Sequence, residues 1–168
     1  MRQDAALGAI FARGRSARNV SAAAMEIDYR ASVDAGRLSL HHLAITVADL
    51  ALAERFYAGV LGLPVERRWA DDHGAPRSIW LGLGASAFLA IERFVGEVTA
   101  RDGAVPGWHC VALAIAPDAR TSWRARLADA GFVVERESDF TIYVRDPEQN
   151  LVALSHYPDA APRPPVSA

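Results

Sequence analysis

The chain has 168 residues, is 51% hydrophobic and 23% charged, and carries a formal net charge of −2; it is long enough for one domain with a sizeable core and too apolar to be a disordered chain. No basic stripe localises that charge, which speaks against capture of a phosphate backbone, and no apolar run reaches membrane-spanning length. All eighteen basic residues are arginine, a bias that fits a GC-rich coding sequence, and the single Cys110 has no partner for an internal disulfide, which fits a reducing cytoplasm.

Residues 1–36 read as an extension, partly helical or disordered. Arg2, Arg13, Arg15 and Arg18 lie among scattered alanines, Leu7 to Phe11 is too short for a secretory core, and Met25 is a candidate start. Apolar alternation begins at Leu38. Leu43, Ile45 and Val47 alternate with His42, Ala44 and Thr46, so a strand here turns a branched row towards a packed side and a histidine with small residues the other way. Asp49 supplies an N-cap. Leu50, Ala53, Phe56, Tyr57, Val60 and Leu61 follow at helical spacing until Gly62. Leu63–Ala70, Arg77–Leu83 and Ala85–Phe94 then read as strands, divided by the turn at Asp71-Asp72-His73-Gly74 and by Gly84. Residues 96–107 form a linker.

Beyond the linker the same order returns. His41-His42 is answered by His109-Cys110, Ile45 and Val47 by Leu113 and Ile115, and Asp49 by Asp118 after one inserted residue at Ala116-Pro117. Ala119, Trp123, Leu127 and Ala130 repeat the helix. Gly62-Leu63-Pro64-Val65-Glu66-Arg67 returns as Gly131-Phe132-Val133-Val134-Glu135-Arg136, and Phe88–Ile91 as Leu151–Leu154. The expected fold class is α+β, with two tandem βαβββ repeats (38–95 and 107–157) forming an incomplete barrel around a cleft. The working domain spans 37–157, and a proline-rich tail, 158–168, is expected to be disordered.

Three stretches resemble the vicinal oxygen chelate superfamily, which includes glyoxalase I, extradiol dioxygenases and bleomycin-binding resistance proteins. They are His42-Leu43-Ala44-Ile45-Thr46-Val47-Ala48-Asp49-Leu50, Phe56-Tyr57 with Leu61-Gly62-Leu63, and Asp146-Pro147-Glu148-Gln149-Asn150-Leu151-Val152. The frame hosts many chemistries, so the resemblance speaks to fold more than to reaction. In metal-using members it implies a histidine on the first strand of each repeat and an acidic residue on the last. Here those places fall on His42, Cys110, Ala90 and Ala153, so one of four is kept.

The expected function is therefore binding of a small, largely apolar or aromatic molecule in the cleft, without a tightly bound metal. The chain would act as a resistance or sequestration protein, or as a metal-independent enzyme with His42 as general base. The residues expected there are His42 and Glu92 as catalytic groups, with Thr46, Trp80, Ala90, Cys110, Ala112, Tyr143, Ala153 and Ser155 against the ligand. The alternative is a metal-dependent lyase, isomerase, cyclase or dioxygenase-like enzyme acting on a small carbonyl compound, in which a divalent metal is held by His42, Glu92 and His109 or Cys110. Glu92 is expected either to lie near the cleft mouth or to be paired, with Arg67 or Arg77 as the candidates, and His41 and His156 to pack on the helix side. The expected partners are a small organic molecule and, by resemblance, a second copy in a homodimer, with no nucleic acid and no membrane.

Overall fold

The computed structural model describes residues 39–84, 86–97 and 107–159; the extension 1–36, the middle of the linker and most of the tail lie outside them. Strand β1 (His42–Val47) leads to Asp49, whose carboxylate accepts from the N–H groups of Ala51 at 2.8 Å and Leu52 at 3.1 Å. Capped in this way, α1 (Leu50–Glu54) starts where the sequence places it. It runs on as a wider π-helical turn, Arg55–Val60, in which Leu61 donates to the Phe56 carbonyl at 2.9 Å. The wider turn accompanies burial of the adjacent Phe56 and Tyr57 together with Val60 and Leu61. Gly62 ends it at φ +75°, in the left-handed region.

Strands β2 (Val65–Ala70), β3 (Pro76–Gly84) and β4 (Ala87–Arg93) complete the first sheet, in the order β1-β4-β3-β2 with β1 parallel to β4. The second repeat copies this connectivity. β5 (Val111–Ala114), α2 (Arg120–Asp129), Gly131 at φ +84°, β6 (Val134–Glu137), β7 (Thr141–Arg145) and β8 (Leu151–Ser155) give a second sheet in the order β5-β8-β7-β6. One expected correspondence fails. Asp118 does not cap α2, because the residue inserted at Ala116-Pro117 folds into a 3-10 turn, Pro117–Ala119, that holds Asp118 inside it. The N-cap of α2 is Ala119, with no side-chain bond; Ser122 Oγ donates to the Ala119 carbonyl at 2.7 Å instead.

The α+β class and the two βαβββ repeats are as expected, and the strands form two separate open sheets with no closed barrel. The helix-facing residues of both sheets share one core: Val47, Leu81, Leu89 and Ile91 from the first, Ile142, Val144, Val152 and Leu154 from the second, with Phe56 and Leu127 from the helices. Contacts between repeats run through the helices and their ends. Phe56 packs on Phe132 with ring centroids 4.7 Å apart, Arg55 donates to the Ala130 carbonyl at 3.2 Å and Arg126 to the Gly59 carbonyl at 3.1 Å. Glu148, in the β7–β8 turn, accepts from the Ala48 N–H at 2.7 Å. Two sheets that turn one face to a common core turn their other faces away from it. Among the described residues no helix is long and apolar enough to cross a membrane.

Candidate ligand-binding faces

Residues paired across strands stand side by side on one face of a sheet, so the register fixes what each outer face carries. On the first sheet one row reads Ala44, Ala90, Trp80, Arg67 across β1, β4, β3 and β2. The row on one side is Thr46, Glu92, Ser78, Trp69, and on the other His42, Phe88, Gly82. His42 stacks on Phe88 (5.0 Å, 12° between planes) and Phe88 on Trp80 (4.4 Å, 22°), which gives a run of three nearly parallel rings. Its outer end is the exposed imidazole of His42, whose Nδ1 lies 2.8 Å from Nδ1 of His41. At the other end Trp69 tilts against Trp80 at 5.4 Å, and the Arg67 guanidinium lies over both indoles, 5.1 Å from Trp69 and 5.9 Å from Trp80.

The second sheet repeats the central row as Ala112, Ala153, Tyr143, Arg136. Arg136 lies 3.8 Å from the centre of the Tyr143 ring and 2.9 Å from His109 Nε2. A guanidinium has no acceptor, so Nε2 accepts and His109 carries its proton on Nδ1. The next row also corresponds: Ser78 Oγ donates to Glu92 at 2.6 Å on the first face, and Thr141 and Ser155 share a hydrogen bond at 2.9 Å on the second. Each face is thus a floor of two alanines, a half-buried aromatic ring and an exposed arginine on that ring. Ala44, Thr46 and Ala112 are exposed, Trp80, Tyr143, Cys110 and Ser155 half-buried, and Ala90 and Ala153 buried.

Some expectations need correction. The partner of Glu92 is Ser78, not Arg67 or Arg77, because register sets Ser78 directly opposite it. His41 does not pack on the helix side; it is exposed and joins His42 and Phe88. His42 and Glu92 do not converge: His42 stands opposite Phe88, and Glu92 lies four residues further along β4, about 13 Å away at the rise of a strand. The substitute set His42, Glu92 and His109 or Cys110 is therefore not brought together within one chain. Among the described residues no group of three or more His, Cys, Asp or Glu side chains could hold an ion. The residues present do not fit the four-ligand centre that the resemblance implies, since Ala90 and Ala153 offer only methyl groups at its two carboxylate places.

Two arginines outside the expected set stand on these faces. Arg67 and Arg136 occupy matching places in the repeat, and their outer-face position follows from the pairing Arg67↔Trp80 and Arg136↔Tyr143, each just past a bulge at Val65/Arg67 and Val134/Arg136.

The family model described as Glyoxalase/Bleomycin resistance protein/Dioxygenase superfamily matches residues 39–154. No curated protein matches the sequence. Among solved structures, the chain is similar to a glyoxalase family protein from Enterococcus faecalis, with 22% identity, a TM-score of 0.58, and coverage of 70% of this chain and 97% of that one. The trypanothione-dependent glyoxalase I of Leishmania major matches at 22% identity and TM-score 0.56, over 71% and 87% of the two chains. The fosfomycin resistance protein FosX of Listeria monocytogenes, solved as a mutant with Mn(II) and a dihydroxypropylphosphonic acid, matches at 16% identity and TM-score 0.57, over 70% and 90%.

Proposed function

Because the chain belongs to the glyoxalase/bleomycin resistance protein/dioxygenase superfamily, whose members include metal-dependent enzymes and resistance proteins, we propose that it binds a small, flat organic molecule. The molecule lies in a cleft built by two copies, with the first-repeat face of one opposed to the second-repeat face of the other. The observation that carries this reading is the matched central row, Ala44-Ala90-Trp80-Arg67 against Ala112-Ala153-Tyr143-Arg136. Alanine floors leave room for a ligand, aromatic rings give it a flat apolar wall, and a few polar groups orient it. Since both sheets turn their helix sides to one core, a wall opposite either floor comes from a second copy, and a two-fold arrangement supplies two such clefts.

Within the cleft Trp80 and Tyr143 contact the apolar body, over the buried Ala90 and Ala153, and Thr46, Ser155 and Cys110 line its border. Ser78 orients the Glu92 carboxylate. His42 is the base available at the end of the ring stack should the bound molecule be transformed. Binding and any turnover proceed without a metal, since the chain does not supply the carboxylate ligands at the family's places.

The test is a titration of the full chain with 2-naphthamide, followed by amide chemical shifts, beside Ala44→Trp and Ala112→Trp. Both sites are exposed in the single chain, outside its packed core, and each tryptophan fills the floor. Shifts centred on Ala44, Ala90, Trp80, Ala112, Ala153 and Tyr143 that vanish in both variants support the reading. Shifts elsewhere, or binding that survives both substitutions, would overturn it.

A further inference from the structure

Resting on that reading of the two faces, we infer that the ligand is a carboxylic acid, its flat body on the alanine floors and its carboxylate held by Arg67 and Arg136. Each guanidinium lies against an aromatic ring. A guanidinium carries its N–H donors at the edge of its plane, the fork that matches a carboxylate.

Those edges are not spent on protein anions. Among the described residues the ion pairs are Arg68–Glu54, Arg93–Asp71, Arg120–Glu137, Arg124–Glu137 and Arg145–Glu135, and neither Arg67 nor Arg136 is in one. Glu135, the carboxylate next to Arg136 in sequence, is already gripped by Arg145, with Nη2 3.0 Å from Oε1. Glu92 is bonded to Ser78 in the neighbouring row, and Glu66 reaches over Gly82, where a Cβ would come within 2.6 Å of its Oε1. Among the described residues the side chain bonded to Arg136 is His109, which as acceptor is neutral and leaves the cation's charge in place.

Donors also stand beneath Arg67. The indole N–H groups of Trp69 and Trp80, the two rings beneath the guanidinium, are buried without a hydrogen-bond partner. Buried donors are almost always paired, and among the described residues neither these indole N–H groups nor the cation beside them meets an anion. Arg136 holds the matching place on the other face, over Tyr143.

The experiment compares 2-naphthoate with its neutral isostere 2-naphthamide on the full chain, reading the four tryptophan indole N–H resonances and the affinity. We expect the acid to bind at least about tenfold more tightly than the amide, a preference that one charge-assisted bond provides and that added salt erodes. The acid moves the Trp69 and Trp80 indole signals and leaves Trp108 and Trp123 in place. Arg67→Gln with Arg136→Gln abolishes the preference, so that the acid and the amide bind with equal affinity. Equal affinity of acid and amide in the wild-type chain, which needs no variant, overturns the carboxylate assignment while leaving the binding face intact. Binding of neither compound overturns both.

Discussion

The hydroxyl of Tyr57 donates to Oδ2 of Asp146 at 2.8 Å, in the interior, and joins the helix of one repeat to the β7–β8 turn of the other. Asp146 is 1% exposed, and its remaining acceptor sites are filled locally by the N–H groups of Glu148 (2.9 Å) and Asn150 (2.7 Å) and by the Asn150 side chain (2.8 Å). The Asp-Pro-Glu-Gln-Asn turn is thereby built around a buried carboxylate, and Tyr57 is the donor that comes from the other repeat. Removing it leaves that carboxylate with one partner fewer, at a cost of about 1.5–3 kcal/mol for a bond to a charged group. Tyr57→Phe should lower the unfolding free energy by that amount in urea titration, with an unchanged m-value; stability equal to wild type would show that the two repeats do not depend on this bond.

Gly62 and Gly131 end the two helices at φ +75° and +84°. A Cβ at Gly131 meets nothing within 4 Å, and at Gly62 only the Arg126 guanidinium at 3.6 Å, so the penalty for substitution is in the backbone rather than in packing. A β-branched residue in that conformation costs at least about 1–2 kcal/mol. Gly62→Val and Gly131→Val should each lower the melting temperature, and Gly62→Asn, which tolerates the left-handed region, should lower it less.

Glu137 holds two arginines, Arg120 at 2.8 Å and Arg124. The hydrogen bond from Arg124 is the main cause that keeps its carboxyl below the ordinary value of 4.5, with Arg120 adding to it. A carboxyl with a depressed folded-state pKa stabilises the fold above its unfolded pKa and loses that contribution as pH falls through the folded one. The effect is small for a partly solvated group, about 1 kcal/mol or less. Wild type should lose stability below about pH 4.5 more steeply than Glu137→Gln, and the two should converge at the acid end. Parallel pH profiles would remove Glu137 from the acid response.

How much of this was legible in the sequence follows from what alternation encodes. It names the face of each strand that is buried, so the helix side of β1, the Asp49 cap, both glycine stops and the second copy were all readable. It does not name the element that covers the opposite face, and so it cannot tell a cleft within one chain from a cleft between two. It also leaves pairing register open. The distance between His42 and Glu92, the Ser78 partner of Glu92 and the placement of Arg67 over Trp80 all depend on which residue stands opposite which. Arg67 and Arg136 were visible as repeat-related residues, but an arginine on an outer strand reads as a solvated surface charge until the bulge beside it is known.

His42 is exposed and makes its contacts through Phe88 and His41. His42→Ala should therefore change the melting temperature little, within the roughly 0.5 kcal/mol common for surface sites, while weakening binding of 2-naphthamide or slowing any turnover. A loss of several kcal/mol with unaltered binding would place His42 among the residues that hold the fold.

The central claim, that each cleft takes one wall from each of two copies, is tested most directly by mixing Ala44→Trp with Ala112→Trp. Alone, each variant blocks one wall of both clefts and should bind no 2-naphthamide. In a mixed pair, one cleft receives both tryptophans and the other receives none, so equilibrating equal amounts should restore about a quarter of wild-type capacity, half the pairs being mixed with one open cleft of two. A mixture as inactive as its components, or either variant binding normally by itself, would contradict a site shared between chains.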